Sequence, residues 1–394
     1  MKPIDLAILG GGCAGLSLAR EIARQETHSP SGRRVIVLEP RTRYENDRTW
    51  CFWSLANEAE DPLVTRRWPA WRFSHAENKV VHRSAQAHYC LINGGDFYRA
   101  ALDTLERAAT IDLRLGVTVE GITPSAGKFT VHTTVGDFLV STIVDTRPPK
   151  TKSDTDALLF QAFAGVEIET NETLSDPHVA GLMDRLRSDG RSLCFDYVLP
   201  LGPRRWLVEA TRFSPDAENE EQLSMDLQES LHRWIPTGDF RCLRSEKGTI
   251  PMGSRPPEPT GSANWVRAGT VGGAVRPASG YAFRRIQKWA LTCAHQFVAT
   301  GNYVGHPPDS PLRRGMDSLF LHVIRNNPDL APEIFLRLAS GMQPDAMARF
   351  MMDQARVTDL IAVIKSLPKL PFLKQLFGRH RHSPSDLIVS DKVR

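Results

Sequence analysis

The first forty residues show a strand, a glycine turn, a helix and a second strand. Residues 6–9 form an uninterrupted apolar run, which is typical of a buried strand, and it ends in three glycines at 10–12. The apolar positions that follow lie on one helix face: Leu16, Ala19, Ile22 and Ala23. Residues 35–38 form a second apolar run that closes on the acidic Glu39. The pattern therefore predicts a βαβ unit over residues 4–40.

Farther along the chain the hydrophobic period changes several times. Residues 111–145 alternate between apolar and polar positions, which predicts a small antiparallel meander and a return strand at 141–145. Strands are predicted at 158–166, 193–201, 205–213 and 265–269, and amphipathic or helical sequence at 217–234, at 283–300 and from 312 onward. A βαβ start, a meander and a return strand are typical of FAD-binding domains, whereas plain NAD dehydrogenases lack that order.

These elements predict an α/β fold. Its core is an FAD-binding Rossmann-type domain of the glutathione-reductase or hydroxylase kind, joined to a β-sheet substrate domain and a helical C-terminal part. The predicted segments are 1–150 (FAD domain, first part), 151–262 (substrate-binding region), 263–305 (return to the FAD domain) and 306–394 (helical region with a basic tail). A length of 394 residues is enough for two domains.

Composition excludes several classes of protein. A net charge of +4 is too small to indicate nucleic-acid binding. The six cysteines have no CxxC or histidine-paired spacing, which argues against a metal site or a disulfide framework and favours a reducing compartment. No stretch approaches the roughly 18 apolar residues of a membrane span. We expect a cytoplasmic chain that is soluble or peripheral to a membrane.

The first glycine turn carries the spacing Gly10-x-Gly12-x-x-Gly15, with Cys13 and Ala14 between the last two glycines. Such glycines allow a tight turn, close approach of a pyrophosphate and close helix–strand packing. Glu39 follows Gly15 by 24 residues (39 minus 15), where a ribose-binding carboxylate belongs. A plain βαβ unit with accidental glycines is the alternative.

Two further segments are candidates for cofactor contact. Residues 269–281 form a second glycine-rich strand-to-helix turn, in which Gly272, Gly273, Gly280 and Tyr281 can bring backbone N–H groups to the cofactor. The loop after Glu39 contains Arg48, Thr49 and Trp50, a mixture of charge and aromatic rings that is often functional. A purely structural turn and a solvated loop are the alternatives.

Several motifs in a common order resemble the bacterial lycopene cyclase family of FAD proteins, over nearly the whole chain. Besides the two glycine turns they are Asp47-Arg48-Thr49-Trp50-Cys51-Phe52-Trp53, Phe160-Gln161-Ala162-Phe163-Ala164-Gly165, Leu182-Met183-Asp184, Leu207-Val208-Glu209-Ala210-Thr211-Arg212 and Glu246-Lys247-Gly248-Thr249-Ile250-Pro251-Met252.

The resemblance implies an isomerase-type cyclase that closes a β-ionone ring at the end of a linear C40 carotenoid such as lycopene. It implies FAD kept reduced by NADPH, without net redox change. Protonation of a terminal double bond starts the reaction, the neighbouring double bond attacks the cation, and a proton is lost. It also implies a hydrophobic polyene or other isoprenoid as substrate.

Three acids are candidates for the chemistry. Glu209 is the lone acid of an apolar strand, where burial raises the pKa of a carboxyl group and keeps it protonated. Strand alternation puts Glu209 on the face of Leu207, opposite Val208. The resemblance gives Glu209 the catalytic role, and Asp184 and Glu246 supporting roles. Acids in surface turns are the alternative for all three.

Rival functions remain open. An FAD- and NAD(P)H-dependent monooxygenase shares the fold, although such enzymes usually carry Gly-Asp where this chain has Gly269-Thr270. Because Ala210-Thr211 stands where many relatives have a second acid, the substrate could also be another polyene or a shorter terpenoid. A non-catalytic flavin-binding or carotenoid-binding protein is a third possible function. The apolar and basic segment 369–382 suits either the inner face of an anionic membrane or a frayed helical tail.

Overall fold

The computed structural model describes residues 4–56, 58, 61–148, 156–216, 220–254 and 260–379. The strands of these ranges are β1 (Ile4–Leu9), β2 (Val35–Glu39), β3 (Thr49–Leu55), β4 (Arg66–Trp68), β5 (Ala70–His75), β6 (Asn78–Arg83), β7 (Ala87–Asn93), β8 (Ile111–Leu115), β9 (Val119–Ser125), β10 (Lys128–Thr133), β11 (Phe138–Asp145), β12 (Leu159–Thr170), β13 (Val179–Ser188), β14 (Leu193–Pro200), β15 (Arg205–Ser214), β16 (Phe240–Met252) and β17 (Trp265–Arg267). The helices are α1 (Cys13–His28), α2 (Gly94–Leu105), α3 (Glu220–Trp234), α4 (Phe283–Thr300), α5 (Pro311–Asn326), α6 (Ala331–Gly341), α7 (Pro344–Met351), α8 (Val357–Ser366) and α9 (Lys369–Arg379).

The first sheet has the strand order β8-β2-β1-β11-β10-β9, with β17 paired to β11. β1 lies parallel between β2 and β11, and α1 packs on the sheet beside α4. The predicted βαβ unit and return strand are thereby confirmed. The predicted antiparallel meander is confirmed only in part. β9, β10 and β11 pair antiparallel, whereas β8 pairs in parallel with β2. Gly116, with φ +71°, separates β8 from the meander.

The second sheet has the order β16-β12-β15-β14-β13-β5-β6. The predicted strands at 158–166, 193–201 and 205–213 are its central members, and they run antiparallel to their neighbours. β5 and β6 extend this sheet because β5 pairs in parallel with β13. The segment 1–150, predicted to form the first part of the FAD domain, therefore supplies strands to both of these sheets. It also forms a third sheet, of order β3-β7-β4, by itself. Its predicted boundary at 150/151 lies outside the described residues.

The second sheet has two differently covered faces. On β15, Leu207 joins the core cluster that includes the C-terminal helices, whereas Val208 packs with Trp206 and Ile235 on the face covered by α3. The predicted placement of Glu209 on the Leu207 side is therefore confirmed, since Glu209 and Leu207 are two residues apart on one strand.

Helices α5 to α9 confirm the predicted helical C-terminal part, and they cover the Leu207 face of the second sheet. The basic end of the predicted tail, residues 380–394, lies outside the described residues. Among the helices that are described, none is long and apolar enough to cross a membrane.

A half-buried histidine stabilises the second glycine turn. The N–H of Gly269 donates a hydrogen bond to Nε2 of His306 at 3.0 Å, and the His306 ring packs on Trp289 with centroids 4.7 Å apart. Burial, together with the positive charge of Arg285, lowers the pKa of His306 to about 4. Because Nε2 accepts this bond, the neutral imidazole is the form that stabilises the turn.

The α3 face also contains a buried ion pair. Arg72 donates to both carboxylate oxygens of Asp184, at 2.7 Å from Nε and 2.6 Å from Nη2. Ser74 donates a further bond at 3.1 Å. The Arg72 guanidinium lies 5.7 Å from the ring centroid of Trp234 in α3, which places the pair on the face away from Glu209.

We predict that His306 contributes stability that is lost as the pH falls below about 6.5, the ordinary pKa of histidine. His306 takes up a proton near pH 6.5 in the unfolded chain, but only near pH 4 in the folded chain. The His306 contribution is therefore complete above pH 6.5 and declines toward pH 4, by at most ~1.4 kcal/mol per pH unit. Urea unfolding between pH 5 and 7 measures the slope.

In the His306→Gln variant a non-titrating amide oxygen replaces the acceptor, so we expect a shallower slope over the same range. His178→Gln, at an exposed position, is the matched control and should retain the wild-type slope. Equal slopes in the wild type and His306→Gln would contradict this account of the turn.

We predict that Asp184→Asn lowers the free energy of unfolding by about 3–5 kcal/mol, because it leaves the buried guanidinium of Arg72 without its counter-charge. Urea denaturation at neutral pH measures the loss. Asp176→Asn is the control, since its pair with Arg83 spans 3.5 Å at the surface and should contribute under about 1 kcal/mol. Similar losses in both variants would contradict the structural importance of the buried pair.

Candidate active site

The first glycine turn has the backbone that the fingerprint predicts. Gly10 adopts φ +95°, and a Cβ at Gly15 would lie 1.9 Å from the carbonyl oxygen of Gly10, so only glycine fits there. At Gly12 no described atom lies within 4 Å of the Cβ position, which leaves that side of the turn open. Cys13 and Ala14 begin α1, and no described side chain caps the helix. Its first N–H groups are therefore available to a phosphate.

Glu39 lies beside this turn at the end of β2. Its Oε2 accepts the N–H of Gly11 at 2.6 Å, and its Oε1 accepts the backbone N–H and the Nε–H of Arg41 at 2.9 and 2.8 Å. A carboxylate has about four acceptor positions. Oε2 therefore retains one free acceptor position, and the ribose-binding role of Glu39 stays a prediction.

The second glycine turn lies against the first. A Cβ at Gly269 would lie 3.1 Å from Cβ of Ala14, so the two turns are in close contact. Gly272 ends a short 3₁₀ turn at 270–272, and Gly273 has φ +90°. A Cβ at Gly280, where φ is +73°, would lie 2.6 Å from Oε1 of Gln161 on β12. The predicted glycines of the two turns are thus brought to one region.

A cavity of about 760 Å³ extends from these turns between the second sheet and the C-terminal helices. Its size falls within the range of small-molecule sites. The walls are predominantly apolar; among the lining residues are Trp53, Phe73, Phe163, Leu182, Phe195, Phe213, Leu319, Phe320, Phe335, Leu338, Met347 and Phe350. Cys13, Arg48, Thr49, Trp50 and Tyr281 from the predicted cofactor set also line it.

Two of the predicted acids meet in this cavity. Glu209 of β15 and Glu246 of β16 are both register partners of Gly165 on the intervening β12. A Cβ at Gly165 would lie 2.4 Å from Cγ of Glu209, so the missing side chain makes room for the glutamate. The two carboxyl groups are hydrogen-bonded to each other.

The two carboxyl groups have different surroundings. Glu246 accepts hydrogen bonds at its Oε2 from Nη1 of Arg244 at 2.7 Å and from Oγ1 of Thr49 at 2.9 Å. Arg244 is itself held by Oε2 of the buried Glu167, at 2.7 Å from its Nε. Thr49, predicted as a cofactor residue, therefore contacts the acid pair directly.

Burial raises the pKa of Glu209 well above its ordinary value. The negative charge of Glu246 and the hydrogen bond that protonated Glu209 donates to it raise the pKa of Glu209 further, while Arg244 acts in the opposite direction. Glu209 therefore favours its protonated, neutral form more strongly than an ordinary glutamate does, inside a largely apolar cavity. It can donate that proton to a weak base that water would not protonate.

Asp184, the third predicted acid, is not brought to this pair. Its neighbours Leu182 and Met183 line the cavity, but the Asp184 side chain forms the ion pair with Arg72 on the α3 face. The bulged pairing of β13 with β14 gives these three neighbours different directions. Sequence alternation alone could not assign the face of Asp184, because the bulge changes the side-chain period.

Sequence reasoning missed a cluster of tyrosine hydroxyls in the same cavity. The Tyr89 hydroxyl lies 2.7 Å from that of Tyr197 and 2.9 Å from that of Tyr281. Tyr197 is the register partner of Glu209 on β14. No local sequence pattern brings together three tyrosines from distant segments. Arg244 is a different case, because it lies two residues before Glu246 on one strand, and strand alternation predicts that the two side chains share a face.

Two buried polar atoms near the second turn have no hydrogen-bond partner in the described part of the chain, namely Oε1 of Gln161 and Oγ of Ser279. Both residues line the cavity next to Gly280. Buried polar groups are nearly always satisfied in folded proteins. A polar ligand group at this point would satisfy them, and the donors and acceptors fit the polar edge of a flavin ring.

Comparison with known proteins identifies the family of this chain. The model of the lycopene cyclase protein family matches residues 5–377. Lycopene beta-cyclase of Pantoea ananas is 22% identical over 401 residues, covering 95% of this chain and 98% of that protein.

Solved structures show the same fold at low identity. A geranylgeranyl bacteriochlorophyll reductase-like protein of Thermoplasma acidophilum has a TM-score of 0.59 at 14% identity, covering 95% of this chain and 98% of that one. The p-nitrophenol 4-monooxygenase of Pseudomonas putida has a TM-score of 0.57 at 13% identity, covering 95% and 97%. Aklavinone-11 hydroxylase, solved in a ternary complex with FAD and aklavinone, has a TM-score of 0.56 at 13% identity, covering 88% and 70%. The predicted Rossmann-type fold with a helical C-terminal region is confirmed, and the family match over almost the whole chain shows that this protein belongs to the lycopene cyclase family.

Proposed function

We propose that this protein is a β-cyclase that closes the terminal ionone ring of a linear C40 carotenoid such as lycopene. The observation that carries the proposal is the pairing of Glu209 with Glu246 across Gly165 in an apolar cavity, where burial raises the pKa of Glu209. An alkene is a very weak base, so it needs a well-placed acid in a site from which water is excluded.

The reaction balances as an isomerisation. Glu209 transfers its proton to the terminal carbon–carbon double bond, which leaves a tertiary cation. The neighbouring double bond attacks that cation, and the new carbon–carbon bond closes the ring. A proton is then lost from the ring and returned to the carboxylate pair, so atoms and electrons are conserved.

The second carboxylate has a defined part in this proposal. After proton transfer, both Glu209 and Glu246 are negative, and the Arg244 guanidinium at 2.7 Å from Glu246 offsets part of that charge. The faces of Trp53, Tyr89 and Tyr197 also line the cavity, and aromatic faces attract cations. A supporting role for Asp184 stays a prediction from the family resemblance.

We propose FAD as the cofactor, held across the two adjoining glycine turns. The residues proposed to hold it are Gly10, Gly12, Cys13, Ala14, Gly15, Glu39, Arg48, Thr49, Trp50, Gly272, Gly273, Gly280 and Tyr281. The open side of Gly12 and the unpartnered atoms of Gln161 and Ser279 support this assignment. Reduced by NADPH, the bound flavin would supply a negative charge close to the developing cation.

A flavin monooxygenase acting on a related substrate is the alternative, because p-nitrophenol 4-monooxygenase and aklavinone-11 hydroxylase share the fold. The paired carboxyl groups favour proton transfer over oxygen transfer. The two reactions differ in their need for oxygen, and that difference decides between them.

We predict that the protein cyclises lycopene in liposomes with FAD and NADPH in the absence of oxygen. In heavy water the product should gain about one solvent deuterium per ring, because the Glu209 proton exchanges with solvent. Glu209→Gln should lower the rate at least about 100-fold, the smaller contribution typical of a general acid, while bound FAD is retained. Mass spectrometry of the product measures the rate and the deuterium content, and flavin absorbance measures the bound FAD.

Glu169→Gln is the matched control, because this glutamate lies on β12 at the surface, in a pair with Arg241. It should leave cyclisation unchanged. Normal turnover by Glu209→Gln would remove Glu209 from the mechanism, and an oxygen requirement or an oxygenated product would favour the monooxygenase.

A membrane surface is the proposed source of the substrate. Ile364, Leu373 and Leu376 line the outer part of the cavity and are also exposed to solvent. Leu370 and Phe377 stand beside them, 62% and 70% exposed. We define the apolar rim as the exposed apolar residues of α8 and α9, which are Val357, Ile361, Ile364, Leu370, Leu373, Leu376 and Phe377.

Exposed Lys365, Lys369 and Lys374 are interspersed with the apolar rim. This composition suits the inner, anionic face of a cytoplasmic membrane, where apolar side chains enter the lipid and lysines contact the headgroups. A polyene dissolved in the bilayer would then reach the cavity without crossing water.

We predict that the protein co-sediments with liposomes that contain phosphatidylglycerol and binds less to pure phosphatidylcholine. The double variant Leu370→Ser with Phe377→Ser should reduce partitioning at least about tenfold, because each apolar side chain contributes roughly 1.5–3 kcal/mol on burial. Val135→Ser with Met225→Ser removes equally exposed apolar groups elsewhere and should have no effect. Equal loss in both double variants would contradict docking through the apolar rim.

A further inference from the structure

One strand connects the second glycine turn with the acid pair. On β12, Gln161, Phe163 and Gly165 point to the same side, because side chains alternate along a strand. Gln161 adjoins Gly280 of the turn, and Gly165 lies between Glu209 and Glu246. At about 3.3 Å per residue, roughly 13 Å of rigid strand separate the two positions.

The Gln161 amide is held at the turn without a protein partner. Its Oε1 is buried and unpaired in the described residues, and it lies 2.6 Å from the Cβ position of Gly280. Any other residue at 280 would displace the amide. Burying an amide oxygen without a hydrogen bond is unfavourable, so this arrangement is explained by a ligand that supplies the missing donor.

Ser279 provides the second, independent contact. Its Oγ is also buried and unpaired, and the residue comes from the turn, whereas Gln161 comes from the second sheet. An amide can accept and donate, and a hydroxyl can do both. Together they match a planar ligand edge on which an N–H group lies between carbonyl groups.

We propose that Gln161 and Ser279 bind the pyrimidine edge of the flavin ring and tune its reduction potential. The inference rests on the proposed FAD cofactor and adds residues that neither the glycine fingerprint nor the second turn predicts. Reduction increases the negative charge on the flavin carbonyl oxygens. Oε1 of Gln161 can accept the ring N–H, while the amide N–H groups of Gln161 and the hydroxyl of Ser279 can donate to the carbonyl oxygens. These donors stabilise the reduced form more than the oxidised form.

The test measures FAD binding and potential, separately from cyclisation. Gln161→Leu should bind oxidised FAD several-fold more weakly, by flavin fluorescence titration, because the phosphate contacts remain and the amide is lost. A further tenfold loss in the affinity for reduced FAD corresponds to a fall in the midpoint potential of about 30 mV for the two-electron couple. Anaerobic titration against an indicator dye measures the potential, and the visible absorption band of bound FAD should also shift.

Ser279→Ala removes only the hydroxyl and should shift binding and potential in the same direction. Gln86→Leu, at an exposed position away from the cavity, is the matched control and should behave as wild type. Should Gln161→Leu fail to fold by circular dichroism, Ser279→Ala decides the question alone.

This inference is overturned if a folded Gln161→Leu variant has the wild-type affinity for FAD, the wild-type potential and the wild-type absorption. If Gln161→Leu does not fold, the same result for Ser279→Ala overturns it. Either result leaves the FAD proposal intact. Failure of the wild-type protein to bind FAD would instead overturn the cofactor proposal itself, and the inference with it.

Discussion

The buried pair of Glu209 and Glu246 is the constraint on which the rest of the site depends. Two carboxyl groups in an apolar cavity cannot both be ionised cheaply, so they retain a proton between them. The fold provides what this pair requires: Gly165 leaves space for the Glu209 side chain, and Arg244, anchored by Glu167, lies beside Glu246. The C-terminal helices cover the cavity on the side opposite the sheet, which limits the access of water.

The second sheet separates its charges by face. Facing the cavity are the acid pair and the tyrosine hydroxyls, which are available to a substrate. On the α3 face, Asp184 is fully occupied by Arg72 and Ser74. The charge of such a buried carboxylate is compensated by its ion pair. Two buried acids therefore have different surroundings because their partners differ.

Direct contacts connect the two halves of the site. The two glycine turns belong to the first sheet and the acid pair belongs to the second, but Gly280 contacts Gln161 and Thr49 contacts Glu246. These contacts fix the proposed flavin position relative to the acid. The proposed reaction conserves electrons and does not require electron transfer to the substrate. In that proposal the flavin position would matter because the charge of a cofactor acts over distance.

The sequence by itself determined the local elements and the residue types. The βαβ unit, the central strands of the second sheet and the side of Glu209 followed from periodicity, because side-chain direction repeats every two residues in a strand. The glycine spacing likewise predicted the first turn, since only glycine fits at Gly15. Tertiary structure alone decided which distant residues meet. The parallel pairing of β5 with β13, the bulge that turns Asp184 away and the union of Tyr89, Tyr197 and Tyr281 all depend on register between segments far apart in the chain. No local pattern encodes that register, because it is set by the packing of whole sheets and helices.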